Sequence, residues 1–127
     1  MEDKMDTPQQ NADRLKQSFA DDLRIYDKYI GKQVAIEEGE TGVHISTATL
    51  IQHGSQTLDL LDYVYWDVSI ESITGRLNSP HPYLNKDKVL PRYKLPRRAI
   101  LKSQVASIQL LEDLLQGTKQ EDIFEKN

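Results

Sequence analysis

Between residues 33 and 70 the apolar residues fall again and again on every second position, and this period constrains the fold more than anything else in the chain. A period of two places successive side chains on opposite faces of an extended strand, so such runs read as sheet and not helix. Val34 and Ile36 alternate with Gln33, Ala35 and Glu37, which predicts a half-buried first strand. Residues 38–42 then carry two glycines in Glu38-Gly39-Glu40-Thr41-Gly42, a turn sequence. Val43, Ile45, Thr47, Thr49 and Ile51 form one face of the next strand, β-branched throughout. His53-Gly54-Ser55-Gln56 reads as a second turn, and residues 58–62 fit either a strand edge or a short turn. From Tyr63 to Thr74 the alternation places Val64, Trp66, Val68 and Ile70 on the core face, with Ile73 joining after a bulge. Tyr63 and Tyr65 fall on the other face, where exposed aromatics mark a candidate subunit interface.

The flanks carry different periods. Leu15, Phe19, Leu23, Tyr26 and Ile30 are spaced four, four, three and four apart, one stripe of an α-helix over residues 11–30. Thr7 or Asn11 would cap it, Gly31 would close it, and its single stripe would lie against the sheet. Residues 75–96 hold four of the five prolines (Pro80, Pro82, Pro91, Pro96), which predicts a long connection or an edge excursion. Apolar residues resume with a strand at residues 98–102, a kink near Ser103-Gln104 and a strand at residues 105–110. Leu111, Leu114 and Leu115 suit a short C-terminal helix capped by Gly117. The expected organisation is a disordered N-terminus (1–10), one helix-plus-barrel domain (11–116) and a polar C-terminal tail (117–127). The expected class is mainly β (α+β): an N-terminal helix, then a small, strongly bent antiparallel barrel of about five strands. Closure is the usual way such a sheet hides its edges.

Charge is distributed unevenly. Lys86, Lys88, Arg92, Lys94, Arg97, Arg98 and Lys102 are seven of the sixteen basic residues, crowded around a single acid, Asp87. That stretch sums to +6 while the rest of the chain sums to −10, within a total of −4. Such asymmetry points to a surface that meets an anion or an acidic partner. With Tyr93 inside the stretch and Tyr83 just before it, phosphate contacts and base stacking are one reading. The other is a solvated loop, or one that pairs with the acidic N-terminal helix of a neighbouring subunit. A pI near 5.3 favours the second.

Chemistry-bearing motifs are scarce. Cysteine is absent, which excludes disulfides and thiolate metal sites, and His44, His53 and His81 show no ligand spacing. Glu37, Glu38 and Glu40 crowd a turn and read as a solvated face, while Asp59, Asp62 and Asp67 share no catalytic spacing. No GxSxG elbow or GxxxxGK[ST] loop occurs, so neither enzymatic activity nor a cofactor or metal is expected. The first residues hold no apolar signal region, and no apolar run reaches membrane-spanning length. No membrane association and a cytoplasmic location are the corresponding expectations.

Ile30-Gly31-Lys32-x-Val34-x-Ile36, a glycine-containing turn, Thr47-x-Thr49-Leu50, and a final Ile100-Leu101-Lys102-Ser103 with Val105-x-x-Ile108 follow one another in order. This order resembles the Sm/LSm-type small β-barrels. There a short helix leads into L-x-G-K-x-V-x-V, and the last two strands meet at a basic-glycine-asparagine knuckle. The resemblance spans residues 23–111 and implies a small barrel, with RNA as an attendant ligand. Two function classes follow. The preferred one is a non-catalytic interaction module that self-associates or binds an acidic partner through the basic, proline-rich segment. The alternative is an Sm-like binder of RNA or single-stranded nucleic acid.

Overall fold

A computed structural model describes residues 8–11, 25–39, 44–78 and 88–125. Five strands form one antiparallel sheet: β1 (Gln33–Glu38), β2 (His44–His53), β3 (Thr57–Trp66), β4 (Pro91–Leu101) and β5 (Val105–Leu110). Helix α1 (Ile70–Leu77) lies between β3 and β4, and α2 (Leu111–Leu115) and α3 (Gln120–Ile123) follow β5. The strand order is β4-β3-β2-β1-β5. The first four strands form a meander, and the last crosses back to pair with the first.

The mainly β expectation with five strands is met, but barrel closure is not. β4 and β5 are the two edges of an open sheet. The reason lies in the turn between them. A 3₁₀ turn at Lys102–Gln104 carries the chain around a corner, so the two strands follow end to end instead of side by side. That turn is pinned on both flanks: Lys102 N–H donates to the Gln56 carbonyl at 2.7 Å, and Gly39 N–H donates to the Gln104 carbonyl at 2.8 Å.

Both faces of the sheet are covered. One face packs Val34, Ile36, Leu50, Leu58, Leu60 and Ile100 beneath Tyr26 and Tyr29. The opposite face packs Ala35, Ile45 and Trp66 against Ile73, the three leucines of α2, Ile123 and Phe124. Strand β1 is therefore not the half-buried ribbon that its alternation suggests, and β2 is likewise buried on both faces. Ala35, Ser46 and Ala48, the small residues between the large ones, are buried as well. Each large side chain fully withdrawn from water contributes about 1.5–3 kcal/mol, so two covered faces roughly double what one would supply.

The third strand departs furthest from its expected pattern. Its backbone enters the left-handed region at Asp62 (φ 52°), a conformation that Asp tolerates better than most residues. The alternation shifts by one there, and Tyr63 joins Leu58 and Leu60 on a buried face instead of facing solvent. Residues 58–62 thus belong to the strand. The strand also ends earlier than the alternation indicates. Ser69 adopts an extended backbone and its Oγ accepts a hydrogen bond from Ser72 N–H at 3.2 Å, capping α1 where strand was expected. Ile70, Ile73 and Leu77 then follow helical spacing, with Ile73 fully buried.

At the N-terminal end the stripe residues Leu15, Phe19 and Leu23 lie outside the described residues. Residues 8–11 and 25–27 are helical. Tyr26 and Tyr29 are buried, but Ile30 is exposed. Gly31 closes the turn at φ 80°, its N–H donating to the Leu50 carbonyl at 2.7 Å. At the other end, Gln116 (φ 50°) and Gly117 (φ 88°) terminate α2. The chain beyond Gly117 returns to the core. Ile123 and Phe124 are buried, Phe124 packs 4.4 Å from Trp66 between ring centroids, and a parallel bridge joins it to Val89.

Candidate functional site

Strand β4 brings most of the basic residues onto one edge. It pairs with β3 along its length, and no strand among the described residues lies on its outer side. Two prolines, Pro91 and Pro96, are tolerated here because an edge strand leaves half its amides without a ladder partner. Arg92, Tyr93, Lys94, Leu95 and Arg97 are exposed, as are Leu90 and Leu101 at either end.

The six described basic residues of the run do not form one surface. Lys86 lies outside the described residues, as do Tyr83 and His81. Lys88, Arg92 and Lys94 are exposed. Arg97 pairs with Asp59 of the neighbouring strand at 3.3 Å. The hydrogen bond from Gln52 holds the Asp59 carboxyl below its ordinary value; partial burial opposes this, and Arg97 adds to it. An exposed pair of this kind adds little to stability. Arg98 turns inward, its guanidinium 4.8 Å from the centroid of the Tyr63 ring and 5.7 Å from that of Tyr93. Lys102 sits at the other end of the sheet. Its ammonium lies 4.8 Å over Tyr26 and 3.3 Å from His53 Nδ1, while His53 Nε2 meets Asp27 at 2.8 Å. It braces the N-terminal turn.

Behind the edge lies an aromatic and polar cluster, of which the sequence pattern reveals only the tyrosines. Tyr93 stacks on Tyr65 with centroids 5.2 Å apart and ring planes 11° from parallel, and His44 flanks Tyr65 at 5.5 Å. Arg98 Nη1 donates to the Tyr93 hydroxyl. Tyr63 has no exposed surface, so it cannot serve as the interface residue its sequence position suggests; Tyr65 is half-buried. A buried phenol needs a partner. Tyr63 finds one by donating to Glu38 Oε2, and Ser46 Oγ lies within hydrogen-bonding reach of both, 2.8 Å from the phenol oxygen. Glu37 and Glu38 are accordingly half-buried residues of β1, not part of a solvated turn, with Glu37 accepting from Ser107 at 2.6 Å.

This environment fixes the charge states. Burial pushes the Tyr63 phenol far above its ordinary value, and the Glu38 carboxylate adds to the shift. Tyr65 is raised by burial and then by Glu38 and Tyr93. For Arg98 burial acts downward, but the Tyr93 hydrogen bond and the surrounding phenols and Glu38 outweigh it, and the net shift is upward. A phenol held neutral and hydrogen-bonded to Glu38 and Ser46 ties β1, β2 and β3 together at this point. Tyr63 also predicts a pH dependence. Its folded pKa exceeds the unfolded value of about 10, so its contribution is intact below that pH and declines as the pH rises above it. The denaturant midpoint should therefore fall as the pH is raised above about 10, and Tyr63→Phe should lose part of that slope. Equal slopes in both proteins would exclude Tyr63 as the source.

The polar members Glu38 and Ser46 were missed because a serine between two β-branched neighbours looks like an ordinary outward position. The signal available was the acid at the end of β1 facing a tyrosine-rich β3. Among the described residues no group of three or more His, Asp or Glu side chains is arranged to hold a metal ion. No helix among them is long and apolar enough to cross a membrane. Neither protein-family models nor curated protein sequences give any match to this chain.

Proposed function

We propose that this chain is a non-catalytic interaction module that associates by adding a strand to the outer edge of β4, first of all with further copies of itself. The observation that carries this reading is the edge itself. Eleven residues of strand have a ladder partner on one side only among the described residues, and they present exposed Tyr93, Leu95 and Leu101. Main-chain hydrogen bonds supply affinity in such pairing without any sequence motif. Natural edges are usually blunted by lysine, proline or a covering element. Here Pro91 and Pro96 restrict pairing to the stretches 92–95 and 97–101. The exposed Arg92 and Lys94 would favour an acidic strand where the partner is a different protein.

Binding of RNA or single-stranded nucleic acid is the alternative, favoured by Arg92 and Lys94 beside a partly exposed Tyr93. Against it, one face of Tyr93 is already stacked on Tyr65, Arg97 is paired, and Arg98 points inward.

Light scattering across a concentration series separates these readings. The expected result is a mass above that of one chain, rising with concentration. Leu95→Lys should return it to one chain while leaving the unfolding midpoint nearly unchanged, because a lysine blunts an edge without removing core. A mass of one chain at the highest attainable concentration removes the self-association reading. Nucleic acid co-purifying at low salt, and lost in Arg92→Glu/Lys94→Glu, would establish the alternative.

A further inference from the structure

The C-terminal segment does more than cover the sheet. Between it and the face bearing Trp66 the chain leaves a groove of about 380 Å³, within the roughly 300–1,000 Å³ of small-molecule sites. Its floor is apolar: Val64, Trp66, Leu111 and Phe124. One end is closed by the side chains of Gln33 and Gln120, whose amides hydrogen-bond across the groove at 2.7 Å. The wall on the β2 side is hydroxylic, from Thr47 and Thr49. Thr47 is nearly buried and its Oγ1 accepts the Trp66 indole N–H at 2.8 Å, leaving its proton and one lone pair for an occupant.

The rim decides what occupant fits. Asp62, Glu121 and Glu125 supply three carboxylates, and Lys94 one ammonium. An anionic ligand would meet a net negative mouth. A purely apolar ligand would desolvate those carboxylates and return nothing for the cost. A ligand with a cationic head and an apolar body satisfies floor and rim together. We propose that this groove binds a small organic ammonium compound, with its aromatic or branched aliphatic body over Trp66 and Phe124 and its charged head among Asp62, Glu121 and Glu125. The site is separate from the outer edge of β4, from which it takes only Lys94, and it does not depend on self-association.

The chain contains a single tryptophan, and that tryptophan is in the floor of the groove. Its fluorescence is therefore a direct reporter. Phenethylamine, protonated at neutral pH, should change the Trp66 emission saturably. Phenylacetate, the same ring with the opposite charge, should bind roughly tenfold more weakly or not at all. Glu121→Gln/Glu125→Gln should weaken phenethylamine several-fold at low salt, with a smaller effect at high salt. Thr49→Leu, which adds bulk to the wall without creating a cavity, should abolish the response while circular dichroism remains native. The proposal is overturned by the absence of a saturable response up to the solubility limit. Equal affinity for phenylacetate, or an unchanged response in the glutamine double variant, overturns it as well.

Discussion

Trp66→Ala is expected to lower the free energy of unfolding by about 3–5 kcal/mol, the range for truncating a buried large aromatic. Trp66 is almost completely buried at the point where the sheet, α2 and the C-terminal segment meet. It packs on Phe124 and donates its indole N–H to Thr47. Truncation would leave a cavity lined by residues held in separate elements, which can collapse only by moving against one another. It would also leave Thr47 without its donor. A domain of this size is stable by about 5–15 kcal/mol in all, so the loss is a large fraction of the total. Trp66→Phe should fall between, keeping a ring against Phe124 and losing the hydrogen bond. Urea unfolding followed by circular dichroism measures both, since the variants lack the fluorescent probe. A loss below about 1 kcal/mol for the alanine variant would mean that this face of the sheet is not the packed core described above.

The second large effect comes from the far C-terminal residues. Phe124→Ala is expected to cost about 3–5 kcal/mol, and Ile123→Ala about 2–5 kcal/mol. The double variant should cost less than their sum, because adjacent residues share one cavity. The argument rests on how this segment is held. Val89 N–H donates to the Ile123 carbonyl at 2.8 Å, and Glu125 N–H donates to the Val89 carbonyl at 2.9 Å. Removing either side chain therefore loosens the approach to β4 as well as the cover over Trp66. Ending the chain after Gly117 should be at least as damaging as Phe124→Ala. A tail that merely trailed in solvent would be silent to all four changes, and thermal unfolding midpoints distinguish the outcomes.

The parts of this fold that sequence reveals are those governed by local period. β1 and β5 follow from their apolar spacing, the corner between β4 and β5 from the break at Ser103-Gln104, and α2 from Leu111, Leu114, Leu115 and Gly117. What stayed hidden depends on single residues that reset the period. Asp62 turns left-handed and sends Tyr63 inward, and Ser69 caps a helix where alternation appears to continue. Ile123 and Phe124 are two apolar residues among charged ones, too few to give a period, yet the bridge to Val89 draws them into the core. The basic run of residues 86–102 was visible as charge. Which of its members meet Asp59, Tyr63 or His53 was not, because those partners come from strands distant in sequence. The Glu38–Ser46–Tyr63 group escaped for the same reason: three strands must assemble before those side chains meet.

Hydrogen exchange of the β4 amides at low and high protein concentration tests most directly whether this edge is where the chain associates. Amides within residues 92–95 and 97–101 that face away from β3 should exchange quickly in dilute solution and become protected as concentration rises. Amides of β2, already paired on both sides, should not change. Exchange along β4 that is independent of concentration, in a sample whose mass stays that of a single chain, would contradict association through this edge.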